Sequence, residues 1–151
     1  MNPVQIIQKF NIMNIYKEKP IQKDFDVSVA EKKTLLLVDD EKAILEFCKE
    51  FLEQQRYTVL TADAPDVAIQ VARNYSGRIN MLITDIVMPV MNGLELAETL
   101  SCIRPDIKCV FISGYPPEAI FGSKMHEKMN FIQKPFKLKD FAEKIQYVLN
   151  Q

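Results

Sequence analysis

Residues 81–100 read M-L-I-T-D-I-V-M-P-V-M-N-G-L-E-L-A-E-T-L. Met81 to Ile83 is a short apolar run that ends near an acid, Asp85. Asn92-Gly93 then punctuates a loop, and Leu96, Ala97 and Leu100 recur at helical steps until Arg104-Pro105 stops the pattern. A short apolar strand, a loop and an amphipathic helix make one β/α unit. The same unit recurs on both sides of this stretch.

Toward the N-terminus, Leu35 to Val38 is an unbroken apolar run, followed by Ile44, Leu45, Cys48, Phe51 and Leu52 on one helical face. Tyr57 to Leu60 makes a second strand, and Pro65 suits the first turn of a helix carrying Val67, Ala68 and Val71. Toward the C-terminus, Cys109 to Ile112 is a fourth strand. Pro116, Pro117 and Gly122 leave only a short window around Glu118 to Phe121, with room for a second turn near Met125 to Met129, so that helix is expected to be short or irregular. Phe131-Ile132 forms a fifth strand. Leu138, Phe141, Ala142, Ile145, Val148 and Leu149 then describe the clearest amphipathic helix of the chain. Five β/α units with apolar strands predict an α/β domain, a doubly wound parallel sheet covered by helices on both faces.

The 151 residues fit one domain of ordinary size, and 48% hydrophobic with 26% charged residues is a globular composition. Nineteen Lys and Arg against twenty Asp and Glu give no charge argument for nucleic acid or an anionic membrane, so no direct nucleic-acid binding is expected. Cys48, Cys102 and Cys109 are odd in number, lack C-x-x-C spacing and have one histidine to join them; they predict reduced thiols in a cytoplasmic protein rather than a zinc site. No apolar stretch approaches the roughly 18 to 20 residues that span a bilayer. The apolar residues from Val4 to Ile15 are interrupted by polar ones and do not form a signal-peptide core. Neither membrane insertion nor export is expected. Residues 1–33 stand outside the alternation and are expected to be an extension or linker, with the domain at 34–151. An amphipathic docking or dimerisation helix near Val4 to Tyr16 competes there with a poorly ordered leader.

In open parallel sheets, ligands bind beyond the carboxyl ends of the strands, where strand order reverses. Asp39-Asp40 follows the first strand, Asp85 the third, Ser113-Gly114 the fourth and Lys134-Pro135 the fifth. Each has an ordinary explanation: an acid pair or a lone acid as a helix cap, a serine in a turn, a lysine in solvent. Their coincidence at successive strand ends outweighs those explanations. Three converging carboxylates repel one another unless a cation lies among them, and all-oxygen ligation suits magnesium. Lys134 adds a positive charge near Asp85. A carboxylate, a hard cation, a lysine and a hydroxyl are suited to phosphoryl transfer with Asp85 as the nucleophile.

At these residues the sequence resembles the response-regulator receiver family of two-component signal transduction. The resemblance covers about Thr34 to Leu149 and rests on L-L-L-V-D-D-E, L-I-T-D-I-V-M-P-V-M-N-G-L-E-L, V-F-I-S-G-Y and F-I-Q-K-P-F, in family order and spacing. It implies a CheY-like, flavodoxin-like (βα)5 fold with strand order 2-1-3-4-5. It implies that Asp85 accepts a phosphoryl group from a phosphohistidine on a sensor histidine kinase or histidine phosphotransfer protein. Magnesium, with manganese as a substitute, would be bound by Asp40 and Asp85 directly, by Asp39 mostly through water and by the backbone carbonyl of Val87. Ser113 would hydrogen-bond the phosphoryl group, Lys134 would pair with it, and Gly114 would leave room for the donor. Phe131 matches the family's switch aromatic, and in this family the bond before Pro135 is commonly cis. The domain would be no conventional enzyme, but a switch that catalyses its own phosphorylation and slow autodephosphorylation. Its output would be the surface of the fourth helix, fifth strand and fifth helix, read by a downstream protein; a phosphorylation-dependent dimer is compatible with it.

Val87 and Tyr115 depart from fast-dephosphorylating members, which carry polar side chains there, and imply a long-lived phosphoryl state. The S-G-Y and Q-K-P-F segments resemble receivers of hybrid sensor kinases, so a stand-alone regulator, a phosphorelay intermediate and a piece of a longer protein all stay open. The competing classes are an aspartate-nucleophile phosphohydrolase and a phosphorylation-independent interaction module. The first expects a D-x-D nucleophile on the first strand, which Asp39-Asp40-Glu41 does not supply; the second has no use for an intact set of pocket residues. His126 is expected to be an exposed bystander.

Overall fold

The computed structural model describes residues 31–122 and 129–151. Its elements are β1 (Thr34–Val38), α1 (Lys42–Gln54), β2 (Thr58–Ala62), α2 (Pro65–Asn74), β3 (Met81–Asp85), α3 (Gly93–Ile103), β4 (Lys108–Ser113), α4 (Pro117–Phe121), β5 (Phe131–Gln133) and α5 (Leu138–Leu149). The five strands are all parallel, in the order β2-β1-β3-β4-β5. The expected doubly wound α/β architecture is therefore the observed one.

Side-chain alternation explains why the strands read as unbroken apolar runs. Leu35, Leu37, Met81, Ile83, Val110, Ile112 and Ile132 enter one core, with α1 and α5. Leu36, Val38, Leu82 and Phe111 enter the other, with α2 and α3. Every second residue goes to the opposite face, so a strand covered on both sides must be apolar throughout.

The strand ends differ from the sequence expectation in a way that matters for chemistry. Asp85 and Ser113 are the last residues of β3 and β4, because Asp85 pairs with Ile112 and Ser113 with Gln133 in the ladder. They stand on the sheet rather than beyond it. β2 starts one residue later than expected and runs on to Ala62, held in register with Val38 of β1. In α2 the buried face centres on Pro65, Ala68 and Ala72; Val67 and Val71 pack only partly. α4 is short, as expected. The second turn expected near Met125, and His126, fall on residues outside the described ones, as does the Val4 to Tyr16 segment.

Arg104, the C-cap of α3, fastens the far side of the domain. Its Nε donates to the Ala72 carbonyl at 2.9 Å, Nη1 to the Gly77 carbonyl at 2.9 Å, and Nη2 to the Tyr75 carbonyl. One guanidinium thus ties the end of α2 and its following loop to α3. Lys108, at the start of β4, donates to the Val148 and Leu149 carbonyls and satisfies the C-terminus of α5.

Candidate functional site

The carboxyl ends of β1 and β3 are neighbours because the strand order reverses there, and this brings Asp39, Asp40 and Asp85 together. One carboxylate oxygen from each lies within 4.8 Å of the others. Asp39 and Asp85 are buried, with 4% and 8% exposure, while Asp40 faces solvent. Lys134, 8% exposed, reaches across from the end of β5. Its Nζ lies 2.7 Å from Asp85 Oδ2 and 3.4 Å from Asp39 Oδ2. The lysine backbone N–H donates to the Ser113 carbonyl at 2.8 Å, which fixes its position on the ladder, and the Lys134–Pro135 peptide bond is cis, as the resemblance implied.

The local explanations hold only in part: neither Asp39 nor Asp85 caps a helix, since Glu41 stands at the N-cap of α1 and Asn92 caps α3, but each serves nearby backbone. Asp39 Oδ1 accepts from the Glu41 N–H at 2.9 Å, and Asp85 Oδ1 accepts from the Val87 N–H at 3.2 Å. Ser113 Oγ accepts from the Tyr115 N–H at 3.1 Å, as a turn serine would. In both buried aspartates one oxygen serves the local backbone and the other faces the lysine. The solvated-lysine explanation fails outright for Lys134. The pocket therefore joins Asp39, Asp40, Asp85 and Lys134, with Ser113 fully buried at the end of the strand between β3 and β5. The Val87 and Tyr115 side chains are exposed at its border, and Phe131 lies on the second-core face of β5.

Gly93, Asn92, Glu95 and Thr84, to which the sequence reading gave no part in the site, shape it. A Cβ on Gly93 would lie 2.3 Å from the Asp85 carbonyl oxygen, so α3 can start against the backbone of Asp85 only with glycine there. Asn92 caps this helix by accepting from the Leu94 and Glu95 N–H groups, while Glu95 accepts from the Asn92 N–H. The N-x-x-E spacing was the available signal; Asn92-Gly93 is a helix start as well as a loop. Thr84, also buried, donates its hydroxyl to the Asp85 carbonyl at 2.9 Å. The backbone of Asp85 is thereby held from both sides.

The donor set fits a hard divalent cation. It is all oxygen, carries three carboxylates at bridging distance, and contains no thiolate or imidazole.

With this geometry in view, the response regulator receiver domain model matches residues 35–146. The chain belongs to that family. It is 34% identical over 118 residues to the response regulator receiver protein CpdR of Brucella abortus, covering 78% of this chain and 97% of that protein. It is 34% identical over 136 residues to the sensor kinase CckA of the same organism, covering 89% of this chain but only 14% of the kinase's length. Among solved structures, the response regulator TrrA of Thermotoga maritima, in complex with magnesium and beryllium fluoride, superposes with a TM-score of 0.63. That pair is 29% identical over 77% of this chain and 98% of the other. The receiver is thus a signalling switch of two-component systems, and the phosphohydrolase alternative is set aside. Among the described residues no helix is long and apolar enough to cross a membrane.

Proposed function

We propose that residues 34–151 form the receiver unit, with 1–33 as an extension or linker, and that Asp85 accepts a phosphoryl group from a phosphohistidine. The observation that carries this is the contact of Lys134 Nζ with Asp85 Oδ2 at 2.7 Å, inside a cluster of three carboxylates. A buried phosphoacceptor carboxylate needs a compensating positive charge, and Lys134 supplies one at the Asp85 oxygen that the Val87 N–H leaves uncommitted.

Asp85 Oδ attacks the phosphorus of the donor; the P–N bond breaks and its electron pair leaves with the donor imidazole. Asp40 and Asp85 directly, Asp39 through water and the Val87 carbonyl would hold magnesium, or manganese in its place. When bound, the metal neutralises charge on the transferred oxygens. Lys134 pairs with the phosphoryl group, and Ser113 turns its hydroxyl from the Tyr115 N–H toward it. Phe131 follows Ser113, and the surface of α4, β5 and α5 changes for a downstream protein to read, with a phosphorylation-dependent dimer as one form of output. The TrrA complex with magnesium and beryllium fluoride supports the metal assignment by likeness. The CckA and CpdR similarities support a histidine kinase or phosphotransfer protein as the donor.

Incubation with acetyl phosphate and magnesium, followed by intact mass, tests the assignment. A single phosphoryl adduct is expected, absent in Asp85→Asn; no adduct, or one indifferent to Asp85, would overturn it. The side chains of Val87 and Tyr115, both more than half exposed at the pocket border, offer no carboxamide or carboxylate to orient attacking water. The adduct is therefore expected to persist for minutes or longer, and its loss within seconds would refute that part.

A further inference from the structure

Phe111 and Phe131 are register partners on β4 and β5 and share the face of the second core. Phe121, the last residue of α4, contacts both. Its ring centroid lies 6.4 Å from Phe111 at an interplanar angle of 62°, and 5.9 Å from Phe131 at 89°. Both are edge-to-face arrangements, the geometry that aromatic quadrupoles favour.

α4 has only five residues and buries none of them fully. It starts after Pro116 and stops at Gly122, whose φ of 71° ends the helix. A helix this short does not hold its shape or place alone. Ile120 and Phe121 are its only residues packed against the second core, and Phe121 alone makes ring contacts with two strands. Ser113 lies two residues beyond Phe111 on β4 and so points to the same face. Phe111, Phe131 and the attachment of α4 therefore meet at one ring, on the sheet face that Ser113 shares.

We propose that Phe121 is the positioning residue of the switch, holding Phe131 and α4 in the resting arrangement and so setting how readily the phosphorylated state is reached. This rests on the assignment of Asp85 as phosphoacceptor and Phe131 as switch aromatic. A change of rotamer at Phe131 moves its ring by several ångströms, so the perpendicular contact at 5.9 Å belongs to one state and not the other. An interaction present in one state only is what shifts a two-state balance; one present in both shifts nothing. Weakening it favours the phosphorylated arrangement.

Beryllium fluoride with magnesium, a stable phosphoryl mimic, is the probe, and its apparent affinity is read by titration for wild type, Phe121→Leu, Phe121→Met and Phe121→Tyr. The leucine and methionine variants are expected to bind the mimic about 3- to 10-fold more tightly, the factor that one aromatic pair represents. Phe121→Tyr, which keeps the ring, is expected to match wild type, and magnesium alone to bind all four equally. In a Phe131→Leu background, Phe121→Leu is expected to add nothing, because it acts through Phe131. Unchanged or weaker binding of the mimic by a cooperatively folded Phe121→Leu or Phe121→Met, or an undiminished effect without Phe131, would overturn the proposal alone. A wild-type protein that ignores the mimic would overturn the phosphoacceptor assignment and this proposal with it.

Discussion

Val90 adopts φ 73° and is fully exposed, in the loop between Asp85 and α3. A β-branched side chain in the left-handed region costs about 1–3 kcal/mol, and exposure leaves no packing to offset it. Val90→Gly is expected to gain up to about 1 kcal/mol net, since glycine's larger unfolded-state freedom takes back part of the relief. A rise in the urea midpoint at constant m-value measures this; a fall would show that the valine has a partner in solution. Cys109 illustrates the opposite case, a group altered by burial. Its thiol is pushed up from 9.0 to about 11 because a thiolate there would lose its hydration. The unfolded chain therefore ionises first. This contribution to stability is complete below about pH 9 and is lost as pH rises toward 11. Urea midpoints at about pH 8 and pH 10 should fall less steeply in Cys109→Ala than in wild type, with Tyr57, also raised by burial, leaving a residual slope. At this scale the sequence picked out residues that the fold does bring together, Asp39, Asp40, Asp85 and Lys134, and it could not say that Asp39 and Asp85 divide their oxygens between a local N–H and a distant lysine. That division depends on contacts across sequence separations of 95 and 49 residues.

Among the elements, α3 governs the site most directly. Gly93 opens it against the Asp85 carbonyl, Asn92 and Glu95 close its capping box, and the Gly93 N–H donates to the Ile86 carbonyl at 2.9 Å. Gly93→Ala would place a methyl 2.3 Å from a backbone oxygen that no rotamer change can move. A loss of about 1–3 kcal/mol in stability is expected, the range for an overpacked site, with slower labelling of Asp85 by acetyl phosphate. Wild-type stability and labelling in the alanine variant would mean that α3 can back away freely. Helix periodicity made the existence of α3 legible from Leu96, Ala97 and Leu100. It did not reveal that the helix begins at Gly93, because a loop Asn-Gly and a capping Asn followed by helical Gly read alike until the contact with β3 is known. The valines of α2 misled for a related reason: hydrophobicity marked the face, but the closeness of the helix to its neighbours gave its centre to Ala68 and Ala72.

For the molecule as a whole, Lys134 is the cation that balances Asp39 and Asp85 inside the protein, and magnesium is the expected second one. At about 100 times its dissociation constant, magnesium should stabilise the native state by about 2.7 kcal/mol if it binds only that state, and Asp40→Ala should remove most of the gain. Lys134→Met, measured in a chelator, is expected to cost about 3 kcal/mol, because it leaves two buried carboxylates without their lysine. Magnesium should restore part of that loss; thermal melts with and without the ion decide. By itself the sequence determined the number, order and two-sided burial of the strands, since period-2 alternation against helices on both faces forces unbroken apolar runs. It also determined which polar residues stand at the strand ends. The family resemblance added the sheet order that sets β1 beside β3, and a lysine near Asp85. Tertiary structure alone decided that Lys134 also reaches buried Asp39, and that Phe111, Phe121 and Phe131 share one contact. Those are long-range pairings fixed by sheet register and crossover geometry, which no local pattern encodes.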